Sequence, residues 1–350
     1  MKFDLNNIVR ENIKRLVPYS SARSEFKGSA SIFLDANENS YGSSLSENYN
    51  RYPDPLQLKL KEQIAEINKF PVENIFIGNG SDEVIDLVYR IFCKPGKDNV
   101  IVCPPTYGMY EVSANINNVA VQKVQLANEF NLDIDAILGA INPDTKLIFI
   151  CSPNNPTGNN MSRDNIKKLL DHFNGIVIID EAYIHFTEQA SFIKDIQQYK
   201  NLIVMQTLSK AWGLAGLRLG LAFADTDIIN LFNKVKPPYN VNQVSQEIAL
   251  SALKNIDEQQ LIINEIMSGR EILKRELKNF PVVKSIYDSD ANFLLIKVIN
   301  ADHLYNYLTS KQIIVRNRSK EIGCENCLRI TVGRNEENII LLNALKDYNI

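Results

Sequence analysis

At 350 residues, with 45% hydrophobic and 23% charged positions, the chain has the composition of a globular protein of about two domains with a sizeable core. A formal charge of −3 excludes bulk electrostatic attraction to nucleic acid or to an anionic membrane. The first thirty residues scatter charges and hold no apolar signal-peptide core, and no later run reaches membrane-spanning length. Five cysteines, an odd number, fit reduced thiols in a cytoplasmic protein.

Residues 1–28 are expected to form an N-terminal arm, with a short helix within 5–17 and an extended stretch at Pro18-Tyr-Ser-Ser-Ala-Arg23. The globular part begins at 31–35 and leads through Asn37-Glu-Asn39 to Arg51-Tyr-Pro-Asp-Pro55. Leu56, Leu60, Ile64 and Ile67 then recur at helical spacing. Apolar runs follow at 75–77, 100–103, 147–151, 176–179, 202–205 and 219–223, with helical patterns between several of them, as at 83–92 and 163–173. Runs apolar at consecutive positions suit strands covered on both faces. The spacing predicts an α/β domain over 29–240, a mostly parallel sheet flanked by helices. Lys236-Pro-Pro-Tyr-Asn-Val241 marks a boundary, and 241–350 is expected to be a smaller C-terminal α+β domain. Within it the pattern predicts a long helix with Ile262, Ile266, Leu273 and Leu277 on one face. Strands at Phe293–Val298, 313–316 and 328–332, a helix at Ala301–Ser310 and a closing helix complete it.

Polar clusters follow the strand ends, where ligands gather in such sheets. They are Gly78-Asn-Gly-Ser-Asp82, Pro104-Pro-Thr-Tyr-Gly108, Ser152-Pro-Asn-Asn-Pro-Thr-Gly158, Asp180-Glu-Ala-Tyr183 and Thr207-Leu-Ser-Lys210. Lys210 sits among small and apolar residues, where an ammonium is poorly solvated and its pKa should fall. Arg218, with no acidic residue between it and Lys210, reads as an unpaired guanidinium suited to an outside anion. With the hydroxyls of Thr207 and Ser209, this set suggests pyridoxal 5'-phosphate held through the lysine. The bland alternative is a lysine pointing at solvent.

Asp180 ends a buried run and needs a cation or several hydrogen bonds, and a protonated pyridine nitrogen would supply one. Tyr183 and Asn155 could reach the cofactor's phenolic oxygen, and Tyr107 could stack on its ring. Ser81 and Asp82 open a helix whose positive end suits a phosphate. Cys324-Glu-Asn-Cys327 is a lone Cys-x-x-Cys without further ligands, and the three histidines are scattered, so no metal site is predicted.

Asn155-Pro-Thr-Gly, Asp180-Glu-Ala-Tyr183, Ser209-Lys210 and Arg218, in this order and spacing, resemble the fold-type I pyridoxal-phosphate aminotransferases over nearly the whole chain. Pro18-Tyr-x-Ser-Ala-Arg23, Arg51-Tyr-Pro-Asp54, Leu214-Ala-Gly-Leu-Arg218 and Leu328-Arg-Ile-Thr-Val-Gly333 are similar to the histidinol-phosphate aminotransferase branch. The resemblance implies that Lys210 carries the cofactor and shuttles protons, that Asp180 pairs the pyridine nitrogen, and that Tyr183 and Asn155 meet the phenolic oxygen. Tyr107 would stack on the ring. Ser81, Asp82, Thr207, Ser209 and Arg218 would surround the phosphate, with Tyr52 entering from the other subunit of a homodimer. Arg329 would meet the substrate carboxyl and Arg316 the substrate phosphate, while Tyr19 and Arg23 lie in the arm that closes the pocket.

The implied reaction moves an amino group between L-histidinol phosphate and 2-oxoglutarate, yielding glutamate, in histidine biosynthesis. An aromatic amino-acid aminotransferase and a threonine-phosphate decarboxylase share the core and remain alternatives. A transcription regulator with such a sensor domain would need a DNA-binding segment, for which the residues before the core are too few and not basic enough.

Overall fold

The structure, a computed structural model, describes residues 3–19, 31–45 and 49–348. Its centre is a seven-stranded sheet of β1 (Ile75–Asn79), β2 (Asn99–Val102), β3 (Ala120–Lys123), β4 (Thr145–Cys151), β5 (Ile176–Asp180), β6 (Leu202–Thr207) and β7 (Leu219–Ala224). The spatial order is β1-β7-β6-β5-β4-β2-β3. Neighbours from β6 through β3 run parallel, while β7 is antiparallel to both β1 and β6.

Alternation along each strand explains the continuous apolar runs. Ile77, Ile148, Ile150, Val177, Ile179 and Val204 face one core. Phe76, Leu147, Phe149, Ile176, Ile178 and Ile203 face the other. Successive side chains point to opposite faces, so a sheet covered on both sides must be apolar at every position. The helices Leu58–Asn68 and Arg163–His172 contribute to the first core, and Ser81–Phe92 and Thr226–Val235 to the second.

The second sheet is antiparallel, in the order β10-β11-β9-β8, from β8 (Val283–Ile286), β9 (Phe293–Val298), β10 (Arg316–Asn317) and β11 (Cys327–Thr331). On β11, Leu328 and Ile330 pack with Leu273, Leu304 and Leu341 from the helices behind it. Arg329 lies between them, so its side chain leaves by the opposite face, toward the large sheet. Phe293 on β9 packs with Tyr183, Phe186, Ala211 and Ile263, joining the two sheets next to the lysine loop.

Several elements differ from expectation. β3 carries no long apolar run, because it is an edge strand whose side chains are half-buried or exposed. β8 is exposed in the same way. The strand expected at 313–316 is Arg316–Asn317, and the long helix is Ile256–Leu277, with a separate helix Gln243–Ala252 before it. Ile262 is exposed, and the buried stripe of that helix runs through Gln259, Ile263, Arg270, Leu273 and Leu277. The arm's short helix is Glu11–Arg15, preceded by a 3-10 turn at Leu5–Asn7. All five cysteines are free and buried. Among the described residues no helix is long and apolar enough to cross a membrane, and no group of three metal-binding side chains occurs.

Candidate active site

The carboxyl ends of β1, β2, β4, β5 and β6 open on one cavity of ≈ 400 Å³, roofed by β10 and β11. Lys210 enters it because β6 and β7 are adjacent antiparallel strands, paired up to Thr207↔Gly220, whose connection must bulge over the sheet edge. The bulge is tied by Leu208 N to Leu219 O at 3.1 Å, Leu214 N to Leu208 O at 3.0 Å and Gly213 N to Lys210 O at 3.0 Å. Thr207 Oγ1 accepts from Ser209 N at 3.1 Å and donates to Leu219 O at 3.2 Å. Lys210 is open to the cavity, its Nζ 5.8 Å from the Tyr183 ring centre. Burial first, then the Arg329 charge, lowers its pKa, against the pull of Asp180. That shift favours the free amine.

Asp180 lies at the floor, 4% exposed. Its Oδ2 accepts from Tyr110 Oη at 2.7 Å and its Oδ1 from Ala182 N at 3.0 Å. Both donors are neutral, and burial holds its pKa above the ordinary carboxylate value. A carboxylate in that position is one short of a cation. Tyr110 stacks on Phe149 with centroids 4.7 Å apart. Nothing in the sequence singles out Tyr110, which sits 70 positions from the carboxylate it serves.

At one wall the helix Ser81–Phe92 begins at Gly80 with no side-chain cap. Gly80 has φ +79°, and a Cβ there would come 2.7 Å from Arg218 Nη2. Gly220 meets the same helix start, where a Cβ would stand 2.1 Å from Ser81 N. Arg218 is not unpaired as expected: its Nη2 donates to Asp82 Oδ2 at 3.1 Å. Asp82 lies 136 positions away, so absence of a nearby acid in sequence said nothing about it. Its other oxygen accepts from Tyr107 Oη at 3.2 Å, so one carboxylate fixes both side chains.

Across the cavity Arg316 and Arg329 are cross-strand partners on β10 and β11. Like charges directly opposite repel, so the pair is favourable only with an anion between or beside it. Asn155, buried, accepts from Arg329 Nη1 and, at 3.4 Å, from Arg318 Nη2. The Arg329 guanidinium lies 5.2 Å from the Phe293 ring centre. Arg318, unforeseen in sequence, also lines the cavity. The alternation Arg316-x-Arg318 could have revealed it, since i and i+2 share a face of a strand.

The cavity therefore gathers Ser81, Asp82, Tyr107, Asn155, Asp180, Tyr183, Thr207, Ser209, Lys210, Arg218, Arg316 and Arg329. Tyr52 is elsewhere: it stacks on Tyr239 at 4.4 Å and lines a separate groove with Glu38 and Asn242. Tyr19 is exposed and does not line the cavity, and Arg23 falls outside the described residues.

An amine poised opposite a buried carboxylate, beside an uncapped helix start with hydroxyls and an arginine, fits an aldehyde cofactor bearing a ring nitrogen and a phosphate. That is the arrangement of a pyridoxal-phosphate enzyme. Comparison with known proteins agrees, because the chain belongs to the class I and II aminotransferases: residues 27–345 match the model of that family. It is 52% identical to histidinol-phosphate aminotransferase of Cytophaga hutchinsonii, over 99% of this chain and all of that protein. It is 53% identical to the protein of that name from Parabacteroides distasonis, over 99% of each chain. Among solved structures, the histidinol-phosphate aminotransferase of Clostridium acetobutylicum aligns with a TM-score of 0.79 and 26% identity, covering 85% of this chain and 90% of that one.

Proposed function

We propose that this aminotransferase interconverts L-histidinol phosphate and 2-oxoglutarate with 3-(imidazol-4-yl)-2-oxopropyl phosphate and L-glutamate, a step of histidine biosynthesis, as a cytoplasmic homodimer. The observation that carries the substrate assignment is the arginine pair Arg316–Arg329 facing Lys210 across the cavity. A substrate of this kind brings an anion to that pair, beside the Glu321 carboxylate that already bears on both. Relatives similar over their full length carry the same name.

Pyridoxal phosphate, when bound, supplies an aldehyde that condenses with amines and a ring that accepts electrons. Ser81, Ser209, Arg218 and, by turning its hydroxyl from Leu219 O, Thr207 would bind its phosphate, Asp82 keeping Arg218 and Tyr107 in place. Asp180 would hold a proton at the ring nitrogen, and Tyr183 and Asn155 would orient the phenolic oxygen. Lys210 Nζ would take a proton from the substrate carbon that bears the nitrogen, a task suited to an amine with a lowered pKa. Arg329 binds the carboxylate nearest the reacting carbon in glutamate, and Arg316 the distal anion. Tyr52, outside its own chain's cavity, completes the partner subunit's site.

The test mixes cofactor-loaded protein with histidinol phosphate, glutamate, phenylalanine or threonine phosphate and follows the absorbance band of the bound cofactor. Histidinol phosphate and glutamate should each discharge it. Rapid reaction with phenylalanine and none with histidinol phosphate would favour an aromatic aminotransferase instead.

A further inference from the structure

Lys236, just after the helix Thr226–Val235, is buried although the chemistry above gives it no task. Its Nζ donates to three main-chain carbonyls, Pro55 O at 2.8 Å, Pro237 O at 3.1 Å and Pro238 O at 2.8 Å. An ammonium has three protons, so all are engaged and none is left for a carboxylate. Burial lowers its pKa to about 8, against the pull of Glu83 and Asp54, so the charge persists at neutral pH. Burying a charge is costly unless hydrogen bonds compensate it, and here they join two distant segments, 52–57 and 236–240. Prolines at 53, 55, 237 and 238 already restrict both backbones. Each segment carries a tyrosine, and Tyr52 and Tyr239 stack with centroids 4.4 Å apart and planes 12° apart. Asn240 Nδ2 donates to Ile77 O at 3.0 Å and Glu83 Oε2 at 2.9 Å, which ties the second segment to β1 and to the helix Ser81–Phe92. Tyr52 is 51% exposed and lines no wall of its own chain's cavity. A buried charge therefore braces, from beneath, a ring pair that faces outward.

We propose that Lys236 is a positioning residue for the second copy's active site: its ammonium clamps the Pro55, Pro237 and Pro238 carbonyls so that Tyr52, backed by Tyr239, is presented outward at a fixed angle. The proposal rests on the reading above in which Tyr52 completes the partner subunit's site. A side chain that crosses a subunit boundary leaves the walls of its own cavity behind, so its orientation must come from its own chain. Stacking on Tyr239 sets the plane of the Tyr52 ring, and Lys236 sets the two backbones that carry the rings. Glu38 Oε1, accepting from Tyr52 N at 2.6 Å, holds the same residue at its main chain. Lys236 touches neither substrate nor cofactor, and acts only through these carbonyls.

The experiment uses hybrid dimers of two differently tagged chains, one intact at Lys210 and one carrying Lys210→Ala. Each hybrid has one working site, built from the first chain's Lys210 and the second chain's Tyr52. Lys236→Met is placed in either chain, and two quantities are measured: turnover, and loss of the lysine-bound cofactor's absorbance band on dialysis. In the Lys210→Ala chain the substitution should lower turnover about ten- to a hundredfold, the scale of a misplacement near 1 Å, and should speed cofactor loss. In the Lys210 chain it should leave both nearly unchanged. The two arrangements contain the same substitutions, so a general loss of stability cannot produce the difference. Lys236→Arg keeps the charge but cannot converge three N–H groups from one nitrogen, so it guards against a folding defect and should show the same asymmetry in milder form. Equal losses in the two arrangements, a loss confined to the Lys210 chain, or no loss in either would overturn the proposal. Tyr52→Ala is the reference. If it is harmless in the Lys210→Ala chain, the shared-site reading fails and the role of Lys236 with it. A harmful Tyr52→Ala beside a harmless Lys236→Met removes Lys236 alone.

Discussion

Tyr110→Phe isolates one hydrogen bond at the floor of the site. The ring is fully buried and stacked on Phe149, and phenylalanine retains both features. Only the hydroxyl that donates to Asp180 Oδ2 at 2.7 Å is lost. A hydrogen bond to a charged group is worth about 1.5–3 kcal/mol. At 1.36 kcal/mol per factor of ten, ionised Asp180 becomes about ten- to a hundredfold harder to maintain. The sign follows from the forces on Asp180: burial raises its pKa, and the Tyr110 bond is the largest influence that lowers it. Deleting the bond raises that pKa further, so the carboxylate form is lost first as pH falls. The acid limb of the kcat profile should move to higher pH, and the defect should shrink as pH rises, with KM little changed. Steady-state rates across the pH range at saturating substrate test this. A profile superimposable on wild type, or a loss equal at every pH, would refute the idea that Tyr110 works through the charge of Asp180.

Lys210→Ala should still take up pyridoxal phosphate weakly, through the phosphate contacts, and lack turnover; near-normal rates would remove the lysine from the chemistry. Mixing Tyr52→Ala with Lys210→Ala protomers should recover activity, since a hybrid dimer carries one intact site. No recovery after verified subunit exchange would keep Tyr52 out of the partner's cavity. Arg329→Ala should damage the glutamate half-reaction more than the histidinol phosphate one, by about tenfold or more, whereas Arg316→Ala should weaken both; equal losses from Arg329→Ala would reverse the anion assignment. Gly220→Ala places a Cβ 2.1 Å from Ser81 N, so β7 and the helix start must separate. That should cost about 1–3 kcal/mol and be read as a lower melting temperature and weaker cofactor uptake.

The parts of the fold that were legible in sequence are those where one local constraint decides the residue type. β4, β5 and β6 are buried on both faces, and a strand in that position has no alternative to a continuous apolar run. The same run is silent about direction. β7 reads like its neighbours yet lies antiparallel to both, because the pattern of burial is the same whichever way a strand points. β3 and β8 escaped notice for the opposite reason, since their exposure relaxes the pattern on at least one face. The division of the helices at 253–255 depends on how Ala249 and Leu253 pack against the large sheet's core, a tertiary matter.

Most of the legible residues around the cofactor site stand at or just beyond strand ends, where glycine, proline, asparagine or a charged residue breaks an apolar run and is conspicuous. Lys210, Asp180 and Asn155 are of this kind. The missed ones act through partners far along the chain. Tyr110 sits within a helix whose buried face would call for an aromatic in any case, so its hydroxyl carried no signal. Arg218 was expected to be free because no acid is near it in sequence, yet Asp82 reaches it through the close contact of β7 with the helix start that Gly220 permits. Sequence proximity is a poor guide to charge pairing in a sheet that sets Ile75 of β1 beside Phe223 of β7. Arg318 is the instructive exception: its period-2 relation to Arg316 was visible. What the sequence could not reveal was that Glu321 holds its Nη1 while its Nη2 reaches the same Asn155 oxygen that Arg329 meets.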